Sequence, residues 1–325
     1  MNITNDPRIE RILTLPEGST AEWKSDLRRL ESGDATLTRK SAGEASIKAV
    51  QRLLIFLGYS TSSTGAFAID GDFGRGTNRA VAQFQFENSL NSNLRRSMLC
   101  YDCTWQTASK NIVAIPDTRL TVATLEKMLQ TALRMIETRN LMCGDFEEAL
   151  FHLNGLHRSQ FLPCKEILNR YGTLVDAAIQ GVRSEQGFAI VPEWMLAIIK
   201  QETGGVVRPR FEQHYLSRFN QQEPRTDFVE LRYRSMSFGL GQIMGENYRR
   251  VGAASAHAMF TSPLADQVLF VARFLAQRRE VVIKRNPSEA DFHTLARFYN
   301  GPGYASHFYH ESLATWFKEF RLLLS

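Results

Sequence analysis

The chain has 325 residues, with 39 Lys and Arg against 34 Asp and Glu, for a formal net charge of +5. Hydrophobic residues make up 43% and charged residues 22%, which excludes a disordered polyelectrolyte, and the length predicts two domains. No apolar run reaches the roughly 18–20 residues of a membrane span.

The opening MNITNDPRIERI has no apolar signal core, so cytoplasmic synthesis without a signal peptide and without a stable membrane anchor is expected. A pI near 9.1 suggests an anionic partner, a class that holds nucleic acid, anionic lipid and acidic wall polymers alike. Of the four cysteines, Cys100 and Cys103 form a C-x-x-C, but Cys143 and Cys164 are solitary. That spacing supports neither a disulfide framework nor a zinc site, so no metal and no cofactor is expected.

Residues 1–43 are polar and mixed in charge, with a short helical hint from Trp23 to Leu30, and read as an N-terminal extension or tether. From Ser46 the pattern tightens. Ile47, Val50, Leu54 and Leu57 recur at helical spacing, Ser46 is a possible cap, and Gly58 stands where a helix stops. After a Ser/Thr/Gly-rich loop comes Ile69-Asp70-Gly71-Asp72-Phe73-Gly74-Arg75-Gly76-Thr77, in which Asp-Gly supplies a tight turn and Thr77 a possible cap for a helix carrying Ala80, Val81 and Phe84. A further helical pattern starts at Leu120 and runs on from Leu125 to Ile136 as a connecting helix. Residues 44–133 therefore read as a small helical bundle.

This bundle resembles the peptidoglycan-binding domain of many cell-wall hydrolases. The resemblance rests on Leu57-Gly58-Tyr59, on Asp70-Gly71-x-Phe73-Gly74-x-x-Thr77 and on Ala80-Val81-x-x-Phe84-Gln85. It implies a wall-binding role for Asp70, Gly71, Phe73, Gly74, Thr77 and Phe84, with bacterial peptidoglycan as the partner. The segment from about Asn88 to Ile115 is longer than that family usually has. A helix-turn-helix is the competing reading, but the second helix offers Asn78, Gln83, Gln85 and Glu87 and little cationic charge, so no nucleic-acid partner is expected.

Residues 134–325 read as linker helices followed by a second domain. Its most informative line is Val191-Pro192-Glu193-Trp194-Met195-Leu196-Ala197-Ile198-Ile199-Lys200-Gln201-Glu202-Thr203-Gly204-Gly205. Pro192 suits the first turn of a helix and the double glycine its end. Met195, Ile198, Ile199 and Glu202 share one face, which puts a carboxylate on the apolar side of the last turn. Desolvation and the helix dipole both disfavour its ionised form, so its pKa is expected to rise. A carboxylic acid held protonated near neutral pH is what a glycosidase needs to protonate a leaving oxygen.

Downstream lie Arg208-Pro209-Arg210-Phe211-Glu212-Gln213-His214, then Ser237-Phe238-Gly239-Leu240-Gly241-Gln242-Ile243-Met244, then Tyr299-Asn300-Gly301. Glycines among apolar residues allow close approach of a polymer to the backbone, while Gln242 offers an amide to it. Taken in order, these lines resemble the lysozyme-like glycosidases that cut the glycan strand of peptidoglycan. The phage-type N-acetylmuramidases are nearest, with goose-type lysozymes and soluble lytic transglycosylases as relatives. The resemblance covers about residues 185–325. It implies Glu202 as catalytic acid, substrate-binding roles for Glu212, Asp227, Ser237, Gln242, Tyr299 and Asn300, and a helical lobe with a small β-hairpin region around residues 225–245.

A second carboxylate that activates water is expected first at Glu230 and next at Asp227, with Glu212 holding the site together against Arg208 or Arg210. Residues 203–250 carry eight Arg, no Lys and five acids, a charge set suited to peptide-stem carboxylates. The C-terminal stretch from Ser312 to Leu324 is amphipathic and reads as a packed terminal helix.

The expected protein is thus mainly α, a small helical-bundle binding domain plus a lysozyme-like α-helical catalytic domain, acting as a monomer. It would cleave the β-1,4 bond between N-acetylmuramic acid and N-acetylglucosamine in periplasmic peptidoglycan as a phage endolysin. The open alternatives are a lytic transglycosylase, a secreted antibacterial effector with an immunity protein as partner, and an inactive wall-binding protein.

Overall fold

The structure is a computed structural model and describes residues 3–33, 37, 43–100 and 119–325. Cys103 and most of the long segment beyond Leu99 lie outside the described residues.

The N-terminal lobe holds α1 (Pro7–Leu13), α2 (Ala21–Glu31), α3 (Glu44–Phe56), α4 (Arg75–Glu87), the short α5 (Arg96–Leu99) and α6 (Val122–Thr138). Residues 3–33 are no tether. Asp6 caps α1 by accepting from the Arg8 amide, Pro7 fills the first helical position, and Ile9, Ile12 and Leu13 bury one face of it. Trp23, Leu27 and Leu30 do the same for α2, and both helices pack on α3 and α6. Arg52 of α3 ties them down from inside. Its guanidinium donates to the carbonyls of Ile12 (2.6 Å) and Thr14 (3.1 Å) and to Asn154 Oδ1 (2.8 Å), and burial lowers its pKa to about 9.

Neither expected cap is a cap. Gly43 and Gly74 precede α3 and α4, while Ser46 bonds to Asp26 and Thr77 donates to the Asp72 carbonyl. The anticipated connecting helix is present as α6, started by the Thr121 side chain and ended by Arg139 in a left-handed conformation.

The C-terminal lobe holds α7 (Phe146–His157), α8 (Cys164–Gln186), α9 (Pro192–Thr203), α10 (Gln213–Gln222), α11 (Phe228–Arg234), α12 (Ala256–Thr261), α13 (Leu264–Ala276), α14 (Arg279–Val282), α15 (Glu289–Asn300) and α16 (Tyr309–Leu324). At its centre stands α9, packed against α8, α13 and α16, with Trp194 to Ile199 fully buried. Burying each such large side chain is worth about 1.5–3 kcal/mol, so the frame that carries Glu202 is firmly anchored in the lobe. The helix stops at Gly204, whose φ of +57° is left-handed.

Three short antiparallel strands, β1 (Arg210–Phe211), β2 (Met236–Phe238) and β3 (Ile243–Met244), pair in that order, Arg210 opposite Ser237 and Ser237 opposite Met244. The expected hairpin is therefore narrower than 225–245, because residues 228–234 are helical.

The buried apolar side chains of both lobes form a single continuous cluster. Between the lobes, Arg232 Nε of α11 donates to Glu87 Oε1 of α4 at 2.6 Å, with side chains 2% and 5% exposed. Arg232 also donates to the Gly58 carbonyl at 2.7 Å, and Tyr59 Oη donates to Glu87 Oε2 at 2.6 Å. Burial alone would depress the Arg232 pKa, but the adjacent Glu87 carboxylate holds it above its ordinary value.

Candidate active site

A cleft of about 510 Å³ opens where the end of α9, the three strands and the end of α15 meet. Glu202, Arg208, Arg210, Glu212, Ser237, Gln242, Tyr299 and Asn300 all line it.

Glu202 sits half-buried one residue before the end of α9. Its Oε1 accepts a hydrogen bond from the hydroxyl of Tyr309, the first residue of α16. Burial raises its pKa from the usual 4.5 to about 7, and the Tyr309 hydrogen bond pulls the other way. The upward shift expected from its place on α9 is present. Tyr309 and Tyr299 are themselves pushed well above the ordinary phenol range, first by burial and then by the Glu202 charge, so both stay protonated as donors.

The floor depends on one close approach. Tyr299 Oη donates to the Gly241 carbonyl at 2.6 Å, and a Cβ at Gly241 would stand 2.6 Å from Val271 Cγ2 and 2.7 Å from that hydroxyl. Only glycine fits there. Thr203 of α9 donates to the Leu240 carbonyl at 2.9 Å and so pins the same turn to the helix that carries the acid. Ser237 Oγ donates to Gln242 Oε1 at 3.0 Å while Gln242 Nε2 donates to the Gly239 carbonyl at 3.1 Å, which fixes the amide at the cleft wall.

On the opposite wall Arg210 Nε donates to Glu212 Oε1 at 2.6 Å, the pairing anticipated for Glu212, and His214 Nδ1 lies 3.7 Å from the other oxygen. Arg208 donates to the carbonyls of Gln160 and Thr203 and stacks 4.0 Å over Phe161, a ring 63% exposed.

Two expected site residues are not brought to this cleft. The Glu230 carboxylate is taken up by backbone amides at the start of α12, Oε1 by Ala256 at 2.9 Å and Oε2 by His257 at 3.3 Å. Asp227 caps α11 through Val229 (2.8 Å) and Glu230 (3.3 Å). Both carboxylates serve helix starts, and neither lines the cleft. The N-terminal motif is equally structural in its contacts. Gln51 Nε2 donates to Asp70 Oδ1 at 2.7 Å and its Oε1 accepts from the Gly71 amide at 2.9 Å; Gly74 starts α4; Phe73, Thr77 and Phe84 are buried.

Sequence reasoning missed Tyr309 and, among the residues lining the cleft, Leu156, Ala66 and Phe67. Tyr309 was hidden because the terminal helix reads as starting at Ser312. Ala66 and Phe67 line the cleft from the other lobe, and no local pattern signals it.

Among known proteins, residues 43–93 match the family model of a putative peptidoglycan binding domain, and residues 229–321 match that of N-acetylmuramidase. Ser237, Gln242, Tyr299 and Asn300 fall inside the second match; Glu202 and Glu212 precede it. No curated protein matches the chain. Among solved structures the chain is similar to the crystal structure of Burkholderia AP3 phage endolysin, at 18% identity over 89% of this chain and 99% of that one, with a TM-score of 0.27. Among the described residues no helix is long and apolar enough to cross a membrane. With a mainly helical fold, a cleft built around a buried acid, and these two matches, the chain is a modular peptidoglycan hydrolase in which a peptidoglycan-binding domain precedes an N-acetylmuramidase domain.

Proposed function

We propose that the chain cuts the β-1,4 bond between N-acetylmuramic acid and N-acetylglucosamine with Glu202 as general acid. The observation that carries this is the Glu202 carboxyl in the cleft, raised to about 7 by burial and, among the described residues, bonded to no cation, so that it keeps its proton well above the usual carboxylate range. In the reaction that proton passes to the glycosidic oxygen as its bond to the muramic C1 breaks. A water then adds to C1 and yields its proton to a carboxylate.

For that second carboxylate we favour Glu212, the other acid lining the cleft, oriented by Arg210. Ser237, Gln242, Tyr299 and Asn300 supply the hydroxyl and amide groups that a sugar chain requires along its length. The setting we favour is lysis of a bacterial host by a phage, with periplasmic peptidoglycan as the target, since coupling a wall binder to a glycan cutter suits release through a wall.

The test is mass spectrometry of digested sacculi. Water attack gives muropeptides ending in reducing N-acetylmuramic acid. Exclusive 1,6-anhydro ends would mean that the muramyl 6-hydroxyl attacks instead, and would move the enzyme to the lytic transglycosylases.

A further inference from the structure

The peptidoglycan-binding lobe does more than pack beside the cleft; one of its loops is built into the catalytic sheet. Ala66 pairs antiparallel with Arg210 along the edge of β1 opposite to β2, and the Phe211 amide donates to the Gly65 carbonyl at 2.8 Å. Residues 65–66 thus extend the three strands by a fourth short edge, contributed by the other lobe. The approach is as close as a backbone allows. A Cβ at Gly65 would stand 1.9 Å from the Phe211 carbonyl oxygen, and Gly65 has a φ of +89°. Behind the loop, the Ser62 amide donates to the Ala66 carbonyl at 3.1 Å, and Arg79 donates to the Ser62 carbonyl at 2.7 Å with its guanidinium 5.0 Å over the Phe211 ring. The buried Arg232–Glu87 pair holds the two lobes in that relation. Ala66 and Phe67 therefore line the same cleft as Glu202, Arg210 and Glu212.

We propose that the loop 62–67 of the peptidoglycan-binding lobe is a wall of the muramidase cleft that contacts the glycan strand, so that this lobe helps to place the bond to be cut as well as anchoring the enzyme. The inference rests on the muramidase reading above. Ala66 is a substrate-contacting residue. Gly65 is a positioning residue, which acts by letting the loop pin β1 and, through it, Arg210 and Glu212. A lobe that only tethers predicts something different: soluble, peptide-free glycan strands, which need no anchoring, would be cut equally well however the loop is altered.

The experiment uses the full chain with Ala66→Trp and Gly65→Ala, assayed for reducing ends on soluble peptide-free glycan strands and for sedimentation with intact sacculi, alongside thermal melts. For Ala66→Trp, which adds bulk at a half-buried position facing the cleft, we expect kcat/KM on soluble strands to fall at least tenfold, mainly through KM, with sacculus binding and melting unchanged. For Gly65→Ala, whose Cβ cannot be accommodated and so frees the loop from β1, we expect KM on soluble strands to rise and kcat to fall, with sacculus binding kept; a lesion that only unfolds part of the protein would instead lower the active fraction while KM stayed at the wild-type value. Should Gly65→Ala fail to fold, Ala66→Trp decides alone. Soluble-strand kcat/KM within twofold of wild type for Ala66→Trp overturns the proposal, and so does a loss confined to sacculi. Wild-type protein that releases no reducing ends from the strands would overturn the muramidase reading and this proposal with it, and that control separates the two failures.

Discussion

Glu202 and Glu230 start from similar credentials and end in opposite circumstances. Both are glutamates on helices of the same lobe, both belong to lines that resemble a glycosidase site, and both are half-buried. At the end of α9 the only hydrogen bond that Glu202 accepts among the described residues comes from a phenol, and burial lifts its pKa to about 7. In the first turn of α11 Glu230 meets two amides at the start of α12. One carboxyl faces the cleft, and the other is taken up by backbone amides. Chemical role follows from what the oxygens touch, and spacing in the chain does not reveal that.

The largest effect that can break this contrast is on rate. Glu202→Gln keeps shape and removes the proton, so activity on sacculi should fall by about 10²–10⁴-fold while wall binding persists. A folded variant that retains more than about a tenth of the wild-type rate would remove Glu202 as the acid. Stability should move the other way. The folded pKa lies above the unfolded one, so the proton's contribution to stability is complete below about pH 4.5 and is lost as pH rises through about 7. Glu202→Gln should therefore be more stable than wild type above pH 7, by up to about 3 kcal/mol in unfolding free energy, and alike below pH 4.5.

Next in size is the lobe interface. Glu87→Ala strands Arg232 in a buried site, and breaking such a pair costs about 3–5 kcal/mol, to be read from denaturant midpoints. A loss below 1 kcal/mol would mean that the lobes are held by packing alone. Smaller again is Glu230→Gln, which weakens the start of a six-residue helix by about 1 kcal/mol. Its rate per folded molecule should match wild type; a hundredfold loss would restore Glu230 to the chemistry.

What was legible in the chain was what is local. Helix α9, its proline start, its glycine end and the inward Glu202 follow from consecutive residues, as does α6. The packing of residues 3–33 was also written in the chain, in Ile9, Ile12 and Leu13 and in Trp23, Leu27 and Leu30 at helical spacing, but each helix is too short to declare itself without α3 beside it. The fate of Glu230 depends on amides some 26 residues downstream, and the place of Ala66 on a pairing with Arg210 in the other lobe. Contacts of that range leave no periodic trace.

Burial lifts the Glu202 carboxyl well above the usual carboxylate range, to about 7, with Tyr309 as its hydrogen-bond donor. The direct measurement is the pH dependence of kcat/KM on soluble glycan strands for wild type and Tyr309→Phe. Wild type should lose activity as pH rises through about 7, where the acid ionises. The Tyr309 hydroxyl favours the carboxylate, so its removal should carry that limb to higher pH, at a cost of about 1 kcal/mol in stability. A wild-type profile flat from pH 6 to 9, or a limb that stays in place in Tyr309→Phe, would contradict the account.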